Sequence, residues 1–184
     1  MAQRRQVLIG LGLVAAASAL KGTTMAHAAN ATQDWTFESI DGGTYGSADF
    51  AGKVVLLVNT ASRCGYTGQY TGLEKLYQAR RADGLIIIAI PSNDFMSQEP
   101  GTDADIKAFC SNKYPITFPL MAKTVVKGEG INPLYAHLTQ DSPFPGAISW
   151  NFNKFLIGRD GKVVRRYAPT DKPESLTKDI EKLL

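Results

Sequence analysis

Residues 53–59 read Lys53-Val54-Val55-Leu56-Leu57-Val58-Asn59, in which a continuous run of apolar and β-branched side chains lies between Lys53 and Asn59. A run of this length and composition predicts a strand that is buried on both faces, as in the centre of a parallel sheet. A second such run follows at residues 85–90, Leu85-Ile86-Ile87-Ile88-Ala89-Ile90, and Pro91 stops it. The two runs therefore predict two central strands of one sheet.

The segment between these runs has the spacing of an amphipathic helix from residue 70 to residue 81. Its apolar face is formed by Tyr70, Leu73, Leu76 and Tyr77. Thr71 and Glu74 predict a capping box near its start, and Gly84 ends it. A strand, a helix and a strand in this order predict two parallel strands joined by a right-handed crossover.

Further elements on either side complete the predicted architecture. They are an opening strand and turn at residues 36–43, a helix at 103–113 opened by Thr102, hairpin strands at 155–157 and 162–165 around the turn 158–161, and a closing amphipathic helix at 173–184. The order βαβ, helix, ββα predicts an α/β chain with a thioredoxin-like fold, in which helices flank a single mixed sheet. No internal repeat or linker interrupts residues 29–184, so we expect them to form one domain.

The N-terminus has the pattern of an export signal. Arg4 and Arg5 precede an uncharged, mostly apolar run at residues 7–20, and Ala26-His27-Ala28 has the small-x-small pattern of a cleavage site. We therefore expect residues 1–28 to be a cleavable signal peptide and the mature protein to be periplasmic or extracellular. The paired arginines also resemble a twin-arginine signal. An uncleaved membrane anchor is the alternative, although a spanning helix needs about 20 apolar residues.

Removal of this leader changes what the net charge indicates. The whole chain has a formal net charge of +3, and the leader contains the cations Arg4, Arg5 and Lys21 and no acid. The mature chain is therefore neutral overall, which argues against a nucleic acid or an anionic membrane as its partner.

Cysteine and histidine are scarce after residue 28. Cys64 and Cys110 are the only cysteines there, and His137 is the only histidine. These are too few soft ligands for a zinc or iron–sulfur site, so we expect neither a metal nor another cofactor. His137 stands in a helix-like stretch and is interpreted as a surface or packing residue. One structural disulfide between the two cysteines is the simplest alternative to a redox role in an exported chain.

Cys64 has the position of a reactive thiol. It follows the C-terminal end of the strand at residues 53–59 and precedes the helix at 70–81. Ligands of open α/β sheets bind at this edge, and the free N–H groups at a helix N-terminus stabilise a thiolate. Because the thiolate is the nucleophilic form, we expect Cys64 to be the attacking group.

Three stretches of the chain stand out as motifs. They are Val58-Asn59-Thr60-Ala61-Ser62-Arg63-Cys64-Gly65, then Pro91-Ser92-Asn93-Asp94-Phe95 followed by Gln98-Glu99-Pro100-Gly101, and finally Trp150-Asn151-Phe152-Asn153-Lys154-Phe155-Leu156. These stretches, in this order, resemble motifs of the glutathione peroxidase family. The resemblance extends from residue 35 to residue 184. It implies a peroxidase that reduces hydrogen peroxide and organic hydroperoxides.

The resemblance also implies roles for individual residues. Cys64 matches the peroxidatic position, and Trp150 and Asn151 match groups that donate hydrogen bonds to the reacting sulfur. Asp94 falls where the family usually has a glutamine, which leaves its role open. Its side chain could point away, could be held protonated by burial and donate as the amide does, or could be ionised close to Cys64, where it would disfavour the thiolate. We favour the ionised form. Cys110 matches the resolving cysteine of the members that use a thioredoxin-like reductant, so we expect this donor rather than glutathione.

In the implied cycle Cys64 becomes a sulfenic acid, condenses with Cys110 to a disulfide and is recycled by thiol–disulfide exchange. The helix at 103–113 would have to unwind, because a disulfide needs Cα atoms within about 7 Å.

One alternative to a peroxidase is a redox sensor that passes oxidation to a partner. Another is a thioredoxin-like disulfide oxidoreductase, but its Cys-x-x-Cys motif would need a cysteine where Thr67 stands. Short connections at residues 141–149 resemble members without an oligomerisation loop, which implies a monomer.

Overall fold

The computed structural model describes residues 34–184, and the expected leader at residues 1–28 lies outside this range. The strands of the described part are β1 (Thr36–Glu38), β2 (Thr44–Gly46), β3 (Val54–Thr60), β4 (Leu85–Pro91), β5 (Lys154–Ile157) and β6 (Val163–Tyr167). Its α-helices are α1 (Gln69–Arg80), α2 (Asp103–Lys113), α3 (Pro133–Gln140) and α4 (Thr177–Glu181). The predicted closing helix is divided into a 3-10 turn at Pro173–Leu176 and α4. Within residues 34–184, every helix is too short or too polar to cross a bilayer.

The central sheet has four strands in the order β4-β3-β5-β6. β3 runs parallel to β4, with Val54 opposite Leu85 and Thr60 opposite Pro91, and it runs antiparallel to β5. The β5–β6 hairpin is antiparallel, as its turn predicted. The predicted α/β fold with a mixed sheet flanked by helices is therefore confirmed. β1 and β2 form a separate two-stranded sheet, so the opening hairpin does not extend the central sheet.

Separate hydrophobic clusters cover the two faces of the central sheet. Val55 and Leu57 of β3 belong to one cluster, whereas Val54, Leu56 and Val58 belong to the other, because successive side chains of a strand point to opposite faces. The first cluster includes residues of α3 and the opening hairpin, and the second includes residues of α1, α2 and α4. All of β3 is buried, as expected for a central strand covered on both faces.

The start of α2 agrees with the sequence prediction, but the start of α1 does not. The Asp105 N–H donates to Thr102 Oγ1 at 3.2 Å, and the Thr102 N–H donates to Asp105 Oδ2 at 2.9 Å, which is a reciprocal capping box. The capping box predicted for Thr71 and Glu74 is wrong, since both residues lie inside α1. Glu74 instead accepts the Thr117 N–H at 2.8 Å and so ties α1 to the segment after α2.

Candidate active site

Cys64 lies on the loop that leaves the C-terminal end of β3 and leads into α1. Its N–H donates to Thr67 Oγ1 at 3.0 Å, and its Sγ accepts the Tyr66 N–H at 3.4 Å. The sulfur therefore faces a backbone dipole that stabilises negative charge on it. α1 itself begins only at Gln69, so this local N–H makes the contact expected of the helix terminus. The Cys64 side chain is half-buried, which leaves the thiol open to a small peroxide.

A second loop, after β4, brings Gln98 to the loop of Cys64. The Arg63 N–H donates to the Gln98 carbonyl at 3.0 Å, so the residue before Cys64 is tied to this second loop. Met96 and Ser97 have φ values of 52° and 51°. Such left-handed backbone costs a residue with a side chain roughly 1–2 kcal/mol. Strain of this kind concentrates at functional sites, and here it immediately precedes Gln98.

A third loop carries Trp150 and Asn151, and we call residues 150–153 the Trp-Asn turn. Asn59 of β3 holds this turn, because its Nδ2 donates to the Trp150 carbonyl at 3.1 Å and its own carbonyl accepts the Phe152 N–H at 2.6 Å. Phe152 is fully buried and has a left-handed φ of 64°. The strained turn is thereby fixed to the same strand from which the loop of Cys64 departs.

The side chains of Gln98 and Asn151 meet at the junction of these loops. Asn151 Nδ2 donates to Gln98 Oε1 at 2.9 Å, and Asn151 is fully buried whereas Gln98 is half-buried. The Trp150 ring centroid lies 5.8 Å from that of Phe95, and its indole N–H has no acceptor within residues 34–184. Neutral amides and an indole stabilise a negatively charged sulfur without pairing it to a counter-ion.

The carboxylate of Asp94 is held by backbone groups of a later segment of the chain. Asp94 Oδ2 accepts the Val126 N–H at 2.6 Å and the Lys127 N–H at 3.1 Å. Two backbone donors therefore direct it to the segment before α3, which gives Asp94 a structural role there. Gln98 is a further candidate site residue that sequence reasoning did not single out. It stands in the same motif as Asp94, and its amide side chain is the signal that could have pointed to it.

These positions predict opposite effects for two substitutions. We expect Gln98→Ala to slow the oxidation of Cys64 by hydrogen peroxide about tenfold, because one hydrogen-bonding group of the site is lost. Asp94→Ala is the matched control in the same loop. We expect it to leave this rate within about twofold but to lower the free energy of unfolding by about 1–2 kcal/mol, since two backbone N–H groups lose their acceptor. Stopped-flow oxidation and urea unfolding measure the two quantities, and a slower Asp94→Ala enzyme would contradict the assignment.

Cys110 is buried on α2, in the hydrophobic cluster that includes α1. Its exposure is 1%, and both Cys64 and Cys110 are free thiols. The two sulfurs are thus not joined in this structure. Burial raises the pKa of Cys110 to about 11, and the nearby Tyr70 hydroxyl partly opposes this shift. The Cys110 thiol is therefore protonated at neutral pH while α2 is in place.

The chain is similar to proteins of one family over most of its length. The sequence model of the glutathione peroxidase family matches residues 33–139. The glutathione peroxidase-like peroxiredoxin gpx1 of Schizosaccharomyces pombe is 47% identical over 146 residues, 78% of this chain and 92% of the relative. The hydroperoxy fatty acid reductase gpx1 of Synechocystis is 45% identical over 167 residues, 86% of this chain and 99% of the relative. The crystal structure of Trgpx in apo form superposes with a TM-score of 0.69 at 37% identity, covering 84% of this chain and 95% of that one.

Sequence similarity and the fold indicate the same protein family. The loops of Cys64 and Gln98 both fall within the matched residues 33–139, and the solved relative has the same fold. The resemblance noted in the three sequence motifs is confirmed. The chain belongs to the glutathione peroxidase family.

Proposed function

We propose that the protein is a thiol peroxidase in which the thiolate of Cys64 reduces hydrogen peroxide and organic hydroperoxides. The observation that carries this proposal is the Tyr66 N–H directed at Cys64 Sγ. The same loop is joined to the paired amides of Gln98 and Asn151. A backbone N–H directed at the sulfur stabilises negative charge on it, and the thiolate is the form of cysteine that attacks. The peroxidases of the family support the same chemistry.

In the first step the thiolate attacks one peroxide oxygen, so that an S–O bond forms as the O–O bond breaks. The leaving hydroxide or alkoxide takes up a proton and departs as water or an alcohol. Cys64 is left as a sulfenic acid, and its sulfur has supplied both electrons of the reduction. Trp150 and Asn151 are our candidates for the donors that stabilise the sulfur during this attack.

In the second step we propose that Cys110 resolves the sulfenic acid. Its thiol attacks the Cys64 sulfur, an S–S bond forms, and the S–OH oxygen leaves as water with the thiol proton. α2 must open first, because the Cys110 thiol is buried and protonated in the structure. A thioredoxin-like dithiol then reduces the disulfide and becomes oxidised to a disulfide itself. The relative named a peroxiredoxin supports a thiol donor of this kind, and glutathione is less favoured.

Two clefts lined by chain neighbours of Cys64, but not by Cys64 itself, offer space for the substituent of an organic hydroperoxide. A cleft of about 200 Å³ on one side of the loop is lined by Ser62, Arg63, Glu99, Pro100, Gly101, Asp105, Ile106 and Phe109. A second cleft of about 280 Å³ is lined by Gly65, Tyr66, Gly68, Gln69, Gly72, Thr170, Lys172, Pro173 and Glu174. The Synechocystis relative is named a hydroperoxy fatty acid reductase, which supports a substrate with a large organic substituent.

The two other redox functions are less well supported. In a disulfide oxidoreductase the place of Thr67 would hold the second cysteine, but here the Thr67 hydroxyl accepts the Cys64 N–H and lies 2.8 Å from the Ala61 carbonyl. Thr67 therefore shapes the loop and cannot carry electrons. A redox sensor would use the same Cys64 chemistry, and it differs from a peroxidase only in the absence of rapid recycling.

Steady-state turnover tests the proposed function. Residues 29–184 are mixed with hydrogen peroxide or an organic hydroperoxide, and with either a thioredoxin system or a glutathione system. We expect continuous NADPH oxidation that is at least about tenfold faster with thioredoxin, because the resolved form is a disulfide. A sensor would consume one equivalent of peroxide and stop. Failure of Cys64 to react with any peroxide would refute the peroxidase proposal.

We also propose that the protein is exported and that cleavage follows Ala28. The protein recovered from the periplasm or the medium is then expected to begin at Ala29, because small-x-small motifs direct cleavage after the second small residue. N-terminal sequencing or intact mass measurement checks this, and a retained Met1 would contradict it.

We further propose that the mature protein is a monomer, and gel filtration tests this.

A further inference from the structure

Lys154 places an ammonium group inside the sheet, next to the Trp-Asn turn at residues 150–153. It is the first residue of β5, lies opposite Val58 of β3 and Tyr167 of β6, and has 0% exposure. Lysine is almost never fully buried without a partner. Here Lys154 Nζ donates to the Phe152 carbonyl at 2.8 Å.

Few charged groups surround this buried ammonium. Asp171 attracts it, but among residues 34–184 no carboxylate makes an ion pair with it. Burial lowers the pKa of Lys154 to about 8, and Asp171 opposes the shift. Tyr167, opposite on β6, stays protonated because burial raises its pKa. Lys154 is therefore mostly charged at neutral pH and loses its charge in mildly alkaline solution.

The Phe152 carbonyl is one of the backbone groups that fix the Trp-Asn turn. From β3, Asn59 binds the Trp150 carbonyl and the Phe152 N–H. Lys154 Nζ binds the carbonyl of Phe152 itself. Because Phe152 has a left-handed φ of 64°, the turn is expected to relax when an anchor is lost. Such relaxation would move the peptide next to Asn151.

Packing alone does not account for a lysine at this place. A methionine would fill nearly the same space without a charge, and apolar replacements of buried charged groups are often neutral or stabilising. An ammonium, however, makes a stronger hydrogen bond to a carbonyl than a neutral donor makes. We propose that Lys154 is a positioning residue, which holds the Trp-Asn turn in the conformation that presents Trp150 and Asn151 to the reacting sulfur. This role rests on the proposed peroxidase function.

The first test compares Lys154→Met with Lys162→Met, a matched control at the other end of the same hairpin. The measured quantity is the second-order rate constant for oxidation of Cys64 by hydrogen peroxide, divided by the fraction of Cys64 that is thiolate. Ultraviolet absorbance gives this fraction, and we call the quotient the thiolate-normalised rate. Near neutral pH we expect Lys154→Met to be about tenfold slower, as for the loss of one charge-assisted hydrogen bond. Lys162→Met is expected to stay within about twofold of the wild type, because the Lys162 side chain is 43% exposed.

Two further readouts separate positioning from packing. In a Trp35→Phe background the remaining tryptophan is Trp150, and we expect Lys154→Met to shift its fluorescence emission. In the wild type, the thiolate-normalised rate should fall several-fold as the pH rises through about 8, because Lys154 loses its charge. Lys154→Met should lack this fall. A side chain that only fills space would produce neither result.

The outcomes distinguish the inference from the function on which it rests. Equal normalised rates for Lys154→Met and the wild type would overturn the positioning role, and so would a lower rate without a change in Trp150 emission. If Lys154→Met does not fold, the wild-type pH profile decides, and a flat profile overturns the role. A wild-type protein that does not react with peroxide would overturn the peroxidase function and this role with it.

Discussion

Cys64→Ser is expected to retain about 1% of the wild-type peroxidase rate or less, a loss of roughly a hundredfold or more. The serine hydroxyl occupies the same place and can accept the same Tyr66 N–H, but it is not ionised at neutral pH. In addition, the sulfur of cysteine gives up two electrons to a peroxide, whereas the oxygen of serine does not. Stopped-flow mixing with hydrogen peroxide measures the first step, without dependence on the choice of reductant.

The fold should survive this substitution. Cys64 is half-buried on a loop, and its hydrogen bonds are made by backbone groups and Thr67, which serine can preserve. Circular dichroism and urea unfolding should therefore resemble those of the wild type. Cys110→Ser is the matched cysteine control, since it should retain the first step. A Cys64→Ser preparation that keeps more than a few per cent of the rate would show that another group attacks the peroxide.

Cys110→Ser is expected to separate the two half-reactions. Its Cys64 should still reduce one equivalent of peroxide at a rate within about twofold of the wild type, because Cys110 acts only after the sulfenic acid has formed. Turnover with thioredoxin should fall by about a hundredfold or more, since no internal thiol forms the disulfide that thioredoxin reduces. Excess peroxide should then convert Cys64 to the sulfinic acid, which mass spectrometry detects.

Burial of Cys110 calls for a second variant. Its side chain is 1% exposed, so a serine hydroxyl without a partner there would cost about 1–3 kcal/mol of stability. Cys110→Ala avoids a buried hydroxyl and should give the same kinetic result. In the oxidised wild type we expect a Cys64–Cys110 disulfide and faster hydrogen exchange in α2, which must open to form it. Two free thiols after one equivalent of peroxide would exclude the two-cysteine cycle.

Local sequence patterns were sufficient for the framework of the fold. Residues 54–58 and 85–90 are apolar because both faces of β3 and β4 are covered, and no partner had to be known to predict this. Thr102 and Asp105 form their capping box within a single turn of chain, so α2 was also predictable. The capping box predicted at Thr71 failed because the chain enters α1 through consecutive turns after Cys64.

The orientation of the site residues depended on distant parts of the chain. Asp94 and Gln98 stand in one short motif, yet Asp94 is held by the N–H groups of residues 126 and 127, whereas Gln98 meets Asn151. The left-handed backbone of Met96 and Ser97 lies between the two residues, so they need not face the same way. A motif places residues along the chain, but it does not specify which distant hydrogen-bond partners each side chain will meet.

The sequence by itself determined the strand–helix–strand framework, the position of Cys64 at the end of β3, and the family that its motifs resemble. Only the tertiary structure decided which amide joins Asn151, how deeply Cys110 is buried and that Lys154 holds its charge inside the sheet. The physical reason is the range of the interactions involved. Hydrophobic periodicity and helix capping act over a few residues, whereas desolvation and hydrogen bonding in a core depend on every segment that folds around it.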